Sequence, residues 1–82
     1  MSRHAQKFLD KCDQHLRDRI EERLKRLSDE AVPSDSKFIT RDNGEPVYRY
    51  RIGNHRALYK VKHAEKIVLV TKIDKRPHVY QR

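Results

Sequence analysis

The apolar residues change their spacing once, near Lys37, and that switch constrains the fold more than any other feature of the chain. Ala5, Phe8, Leu9, Cys12, Leu16, Ile20, Leu24 and Leu27 recur at intervals of three and four. This is the period of a helix with one buried stripe. Their phases stay on one broad face, so residues 3–28 form either one helix or two. Asp13 is a candidate cap for a second helix, with Leu16 opening its apolar stripe. Asp18, Glu21 and Glu22 early in that segment, and Lys25 and Arg26 late in it, suit the helix dipole. The polar stretch from Ser28 to Ser36, which holds Pro33, ends the helical half.

Beyond Lys37 the period is two. Phe38 to Thr40 reads as a short strand, followed by the turn signal Arg41-Asp42-Asn43-Gly44. In Val47 to Ile52, Tyr48, Tyr50 and Ile52 share one face, and Val47, Arg49 and Arg51 the other. Gly53-Asn54 is a two-residue hairpin signal. Arg56 to Lys62 makes the next strand, with Ala57, Tyr59 and Val61 on one side. His63 to Lys66 turns the chain again, and Ile67 to Ile73 is apolar on both faces except at Lys72. The expected fold class is α+β: an N-terminal helical hairpin packed on a three- to four-stranded antiparallel sheet, in one domain spanning residues 1–82.

A chain of 82 residues with 35% apolar content supports only a thin core, so the free protein is expected to be marginally stable or reliant on a partner. No apolar run exceeds Ile67-Val68-Leu69-Val70, which excludes a membrane-spanning helix. Met1-Ser2-Arg3-His4 leads into charged helix pattern without the apolar stretch of a signal peptide. Cys12 is the only cysteine, which rules out an internal disulfide and makes the cytoplasm the expected compartment. Its place on the apolar stripe makes it a small buried hydrophobe rather than a catalytic thiol.

The net charge of +8 is unevenly spread. Residues 1–34 carry 8 Lys/Arg against 7 Asp/Glu, a net of +1, whereas residues 35–82 carry 12 against 5, a net of +7. The second half has the composition of a surface that meets polyanions. If Gly53-Asn54 is a two-residue loop, Ile52 faces His55, Arg51 faces Arg56, Tyr50 faces Ala57 and Arg49 faces Leu58. Like charges opposed across strands destabilise a sheet. An anion bound between them relieves the repulsion, and the planar guanidinium fork suits phosphate. Otherwise the arginines simply splay into water. Tyr80 either docks the tail on the core or stacks on an unpaired base.

Other chemistries are excluded or unsupported. Gly44 and Gly53 are the only glycines, so there is no phosphate-cradling loop. His4, His15, His55, His63 and His78 show no paired-ligand spacing, and one cysteine makes no zinc site; no metal or cofactor is expected. No nucleophile elbow is present. The basic residues lie on strands, not on a recognition helix.

The run Val47-Tyr-Arg-Tyr-Arg-Ile-Gly-Asn-His-Arg-Ala-Leu-Tyr-Lys-Val61, with the ending Ile73-Asp-Lys-Arg-Pro-His-Val-Tyr80, resembles the RelE/ParE superfamily of toxins from prokaryotic toxin–antitoxin systems. The helical half fits the helical hairpin of that family. The resemblance implies a compact βααβββ fold like that of microbial ribonucleases. For the RelE branch it implies entry into the ribosomal A site, metal-independent cleavage of mRNA and inhibition of translation. There the RNA's own 2′-hydroxyl attacks the adjacent phosphate, leaving 2′,3′-cyclic phosphate and 5′-hydroxyl ends. Arg49 and Arg51 match the basic strand residues near the scissile phosphate. Arg56 matches the arginine that stabilises the transition state, Arg76 the proposed general acid, and Tyr80 the tyrosine that stacks on the displaced base. Lys60, Lys75 and Arg82 are further cations expected along the RNA backbone.

The chain departs from the family in three places. The first two basic positions are often lysine, one of them thought to be the general base, whereas arginine keeps its proton and makes Arg51 a poor base. His78, in the tail beside Tyr80, is the expected titrating group, because strand alternation turns His55 to the opposite face. The helix pattern begins almost at Met1, leaving no room for the family's first strand, and the stop soon after Tyr80 leaves no C-terminal helix. The ParE branch poisons DNA gyrase and generally lacks the tail tyrosine with its basic set. The residues therefore favour an endoribonuclease held silent by a cognate antitoxin, as a monomeric toxin within a hetero-oligomeric complex. A ParE-like gyrase inhibitor and a non-catalytic RNA- or ribosome-binding module are the alternatives.

Overall fold

The structure is a computed structural model and describes residues 1–75. Two helices, α1 (Arg3–Asp10) and α2 (Gln14–Asp29), precede four strands, β1 (Ser36–Asp42), β2 (Glu45–Ile52), β3 (His55–Lys62) and β4 (Ile67–Lys75). The strands pair antiparallel in chain order, β1-β2-β3-β4, as a meander. Among the described residues no strand precedes α1, so the order is ααββββ rather than βααβββ.

Asp13 decides the number of helices. Its carboxylate accepts from the Leu16 amide at 2.9 Å, and at the start of α1 the Ser2 hydroxyl accepts from the Ala5 amide at 3.2 Å. Each cap satisfies an amide that a helix start leaves without a partner. The chain therefore breaks into a helical hairpin between Asp10 and Gln14.

Two tight turns and two bulges shape the sheet. Asn43 (φ 56°) and Gly44 (φ 82°) join β1 to β2 in the left-handed conformation that a type I′ hairpin turn needs at both positions. Gly53 joins β2 to β3 at φ 59°, and a Cβ there would also stand 3.3 Å from the Arg19 guanidinium. In β1 the bulge lies at Ile39, since Phe38 faces Tyr48 while Thr40 faces Val47. In β4 it lies at Thr71, since Lys72 faces Leu58 while Val70 faces Tyr59. One extra residue shifts the side-chain alternation by one. Val70 and Ile73, three apart, therefore both reach the core, which accounts for a strand that reads as apolar on both faces.

The core lies between the helices and one face of the sheet. Ala5, Leu9, Ile20 and Leu27 meet Tyr50, Ile52, Ala57, Tyr59, Val61, Val70 and Ile73. Tyr59 buries its ring against that of Tyr48 (5.6 Å between centroids) and donates its hydroxyl to the Ala31 carbonyl at 2.7 Å. At the other end, Ser2 clasps α1 to β4. Its amide donates to the Val70 carbonyl and its hydroxyl to the Thr71 carbonyl, both at 2.8 Å. Cys12 is half-buried, its thiol donates to the Phe8 carbonyl at 3.3 Å, and burial raises its pKa. It packs beside the core as a small apolar side chain. No helix among the described residues is long and apolar enough to cross a membrane.

Candidate functional site: a cationic cleft around the Arg51–Arg56 pair

The helices cover one face of the sheet, and alternation sends Arg49 and Arg51 to the other. Ile52 faces His55, Arg51 faces Arg56, Tyr50 faces Ala57 and Arg49 faces Leu58, the register that a two-residue Gly53-Asn54 loop imposes. Arg51 and Arg56 are thus directly opposed. Around them opens a cleft of about 600 Å³, lined by Arg23, Asp35, Lys37, Arg49, Arg51, Gly53, His55 and Arg56.

Three of these lining residues were not singled out by the sequence. Lys37 stands directly opposite Arg49 on β1, which adds a second like-charged pair to the face. Only the paired register of β1 and β2 reveals it, and the Ile39 bulge hides that register in the bare sequence. Arg23 comes from α2, where its spacing gives no sign of a site. It lies over the Tyr50 ring at 5.1 Å and donates to the Tyr50 hydroxyl at 3.4 Å and the Arg51 carbonyl at 3.2 Å. Asp35 ion-pairs with Arg23 at 3.4 Å, so the one carboxylate lining the cleft among the described residues is already engaged.

The remaining expected residues fall in different places. His55 borders the cleft at its Gly53 end, yet its ring turns to the helix side and meets Phe8 edge-on at 5.6 Å. Burial, with Lys75 and Arg19 nearby, lowers its pKa. Lys75 faces His55 across the strands, away from the arginine pair. Lys60 is drawn toward the turn end of the sheet, where Asp42 holds its ammonium at 2.7 Å and raises its pKa. Arg76, His78, Tyr80 and Arg82 lie outside the described residues. Among the described residues, no group of His, Cys, Asp and Glu could hold a metal ion.

A helical hairpin on one face of a four-stranded meander, and a cationic cleft where the arginines of the other face meet Arg23 and His55 near the β2–β3 turn, define a small α+β domain that presents guanidinium groups to solvent. The family profile described as the ParE toxin of type II toxin–antitoxin system, parDE, matches residues 1–80. The chain belongs to the RelE/ParE superfamily of type II toxins. Its fold is also that of a solved relative, the archaeal RelE in a RelE–RelB complex from Pyrococcus horikoshii OT3. The TM-score is 0.80 and the identity 24%, over 93% of this chain and 90% of that one. No curated protein matches the chain.

Proposed function

We propose that this toxin is a ribosome-dependent mRNA endoribonuclease, held silent by a cognate antitoxin that covers or displaces its basic face. The opposed Arg51–Arg56 pair in the lining of the cleft carries this reading. Two guanidiniums facing one another suit a phosphodiester bound in between, and they stabilise negative charge as it gathers there. Arg49 stands on the same face, two residues from Arg51. The reaction is attack by the RNA's own 2′-hydroxyl on the adjacent phosphorus. It breaks the bond to the 5′-oxygen of the next nucleotide and leaves 2′,3′-cyclic phosphate and 5′-hydroxyl ends. Arg76 as general acid and Tyr80 as a stacking platform complete the proposed site from the tail.

The description of the matched family favours a second reading, inhibition of DNA gyrase. Mapping RNA ends after brief expression separates the two. New 5′-hydroxyl ends within translated messages support the nuclease, whereas intact messages with arrested supercoiling support the gyrase inhibitor. Intact messages with a toxin bound to ribosomes would identify a module that binds and does not cut.

Binding to RNA is expected to be strongly electrostatic. Each phosphate neutralised on a single strand contributes about −0.7 to the slope of log K against log salt. A measured slope near zero would remove the phosphate-binding role of the cleft.

A further inference from the structure

The open face is not uniformly positive. Lys60 is matched by Asp42 at 2.7 Å and Glu45 at 3.9 Å, Lys62 by Glu45 at 3.4 Å, and Lys72 by Asp74 at 3.3 Å. These neutralised pairs occupy the turn end of the face and its β4 side. Lys37, Arg49 and Arg51 ion-pair with no carboxylate among the described residues, and Asp35 beside them is taken by Arg23. The unmatched charge is therefore gathered along β2 and toward the edge strand β1.

Its arrangement is a ladder of two rungs. Lys37 opposes Arg49 in one row, and Arg51 opposes Arg56 in the next. Partners across a rung are about 4.8 Å apart in the backbone, and the rungs are about 6.6 Å apart along the strand. A phosphodiester carries a single negative charge, so one phosphate between Arg51 and Arg56 leaves the Lys37–Arg49 repulsion unrelieved. We propose that Lys37 and Arg49 form a second phosphate site, which takes the phosphodiester next to the one held by Arg51 and Arg56. A single strand then crosses β2 diagonally, from the Lys37–Arg49 pair between β1 and β2 to the Arg51–Arg56 pair between β2 and β3, and does not reach β4. The proposal rests on the RNA reading of the cleft, and it assigns to that cleft two successive phosphates of one strand.

Oligonucleotides with 2′-O-methyl groups cannot be cleaved by 2′-hydroxyl attack, so their binding tests this independently of catalysis. A dinucleotide with one phosphate and a trinucleotide with two are titrated at low salt and followed by NMR chemical shifts. The trinucleotide should bind more tightly. Lys37→Ala should weaken it about three- to fivefold, the scale of one exposed ion pair. The same change should leave the dinucleotide within about twofold, and Lys37→Arg should restore trinucleotide binding. Lys66→Ala removes the same charge from the distant β3–β4 turn and should leave both ligands within about twofold. A methylphosphonate at the second linkage should erase the Lys37→Ala effect. Equal losses on both ligands, an equal loss from Lys66→Ala, or no binding of either ligand would overturn the proposal. Failure of the unsubstituted protein to cut mRNA would overturn the nuclease reading alone, without moving these affinities.

Discussion

Arg56→Ala is expected to lower single-turnover cleavage of ribosome-bound mRNA by about 100- to 1000-fold, the usual loss when one preorganised donor to a developing charge is removed. Arg56 is opposite Arg51 in the lining of the cleft, and the proposed site has its guanidinium hold the scissile phosphate. The residue is half-buried on the face away from the core, and circular dichroism should show an unchanged fold. Arg56→Lys keeps the charge and loses the two-pronged geometry, so it should fall between the two. A rate within tenfold of the unsubstituted protein would remove Arg56 from the chemistry. The same assay between pH about 5 and 8 addresses the proton acceptor, because arginine does not titrate there. A base works only when unprotonated, so the rate should rise as an imidazole loses its proton and then level off. His78 is proposed for this part, since His55 is turned against Phe8. His78→Ala should flatten the rise. An unchanged profile would leave the step to the arginines and to orientation of the RNA by the ribosome.

Leu9→Ala is expected to lower stability strongly. Helix α1 has eight residues, too few to persist alone in water. It is held by Ala5 and Leu9, both fully buried, and by the Ser2 clasp to β4. Truncating a buried leucine to alanine costs about 2–5 kcal/mol. A domain of this length holds roughly 4–12 kcal/mol in total, at about 0.05–0.15 kcal/mol per residue. The thermal midpoint should therefore drop by roughly 10 °C or more. Phe38→Ala, at an edge-strand position 54% exposed, should shift it by only a few degrees. Comparable midpoints for the two variants would mean that α1 contributes little to the core.

Local chemistry made some of this legible. The Asp13 cap and the Gly53-Asn54 loop are decided by residues a few positions apart, so the helical hairpin and the Arg51–Arg56 opposition follow from the chain itself. Other features depend on pairings between distant segments. Thr71 looks like any strand residue until β4 is laid against β3, and only then does its bulge bring Val70 and Ile73 to one side. Lys37 and Arg23 belong to the cleft for the same kind of reason: one is placed by sheet register, the other by a helix lying across Tyr50. Lys60 shows the converse. Its charge is plain in the sequence, but the partner that engages it arrives from another strand.

The Ser2 clasp also has a consequence for the order in which the fold can close. Ser2 and the carbonyl of Thr71 that receives its hydroxyl are 69 positions apart. The sheet is built from neighbouring hairpins, so each strand can settle on the one before it as the chain lengthens. Helix α1 has no such option. It leaves the ribosome before any of the four strands and finds its place only when β4, the last of the described elements, has followed it out. A chain cut short before Val70 should show rapid amide exchange throughout α1 while the β2–β3 hairpin is already slowed; slow exchange in α1 of that fragment would contradict it. Synthesis of this toxin thus keeps α1 waiting for β4, and the Ser2 bonds close only after the sheet is built.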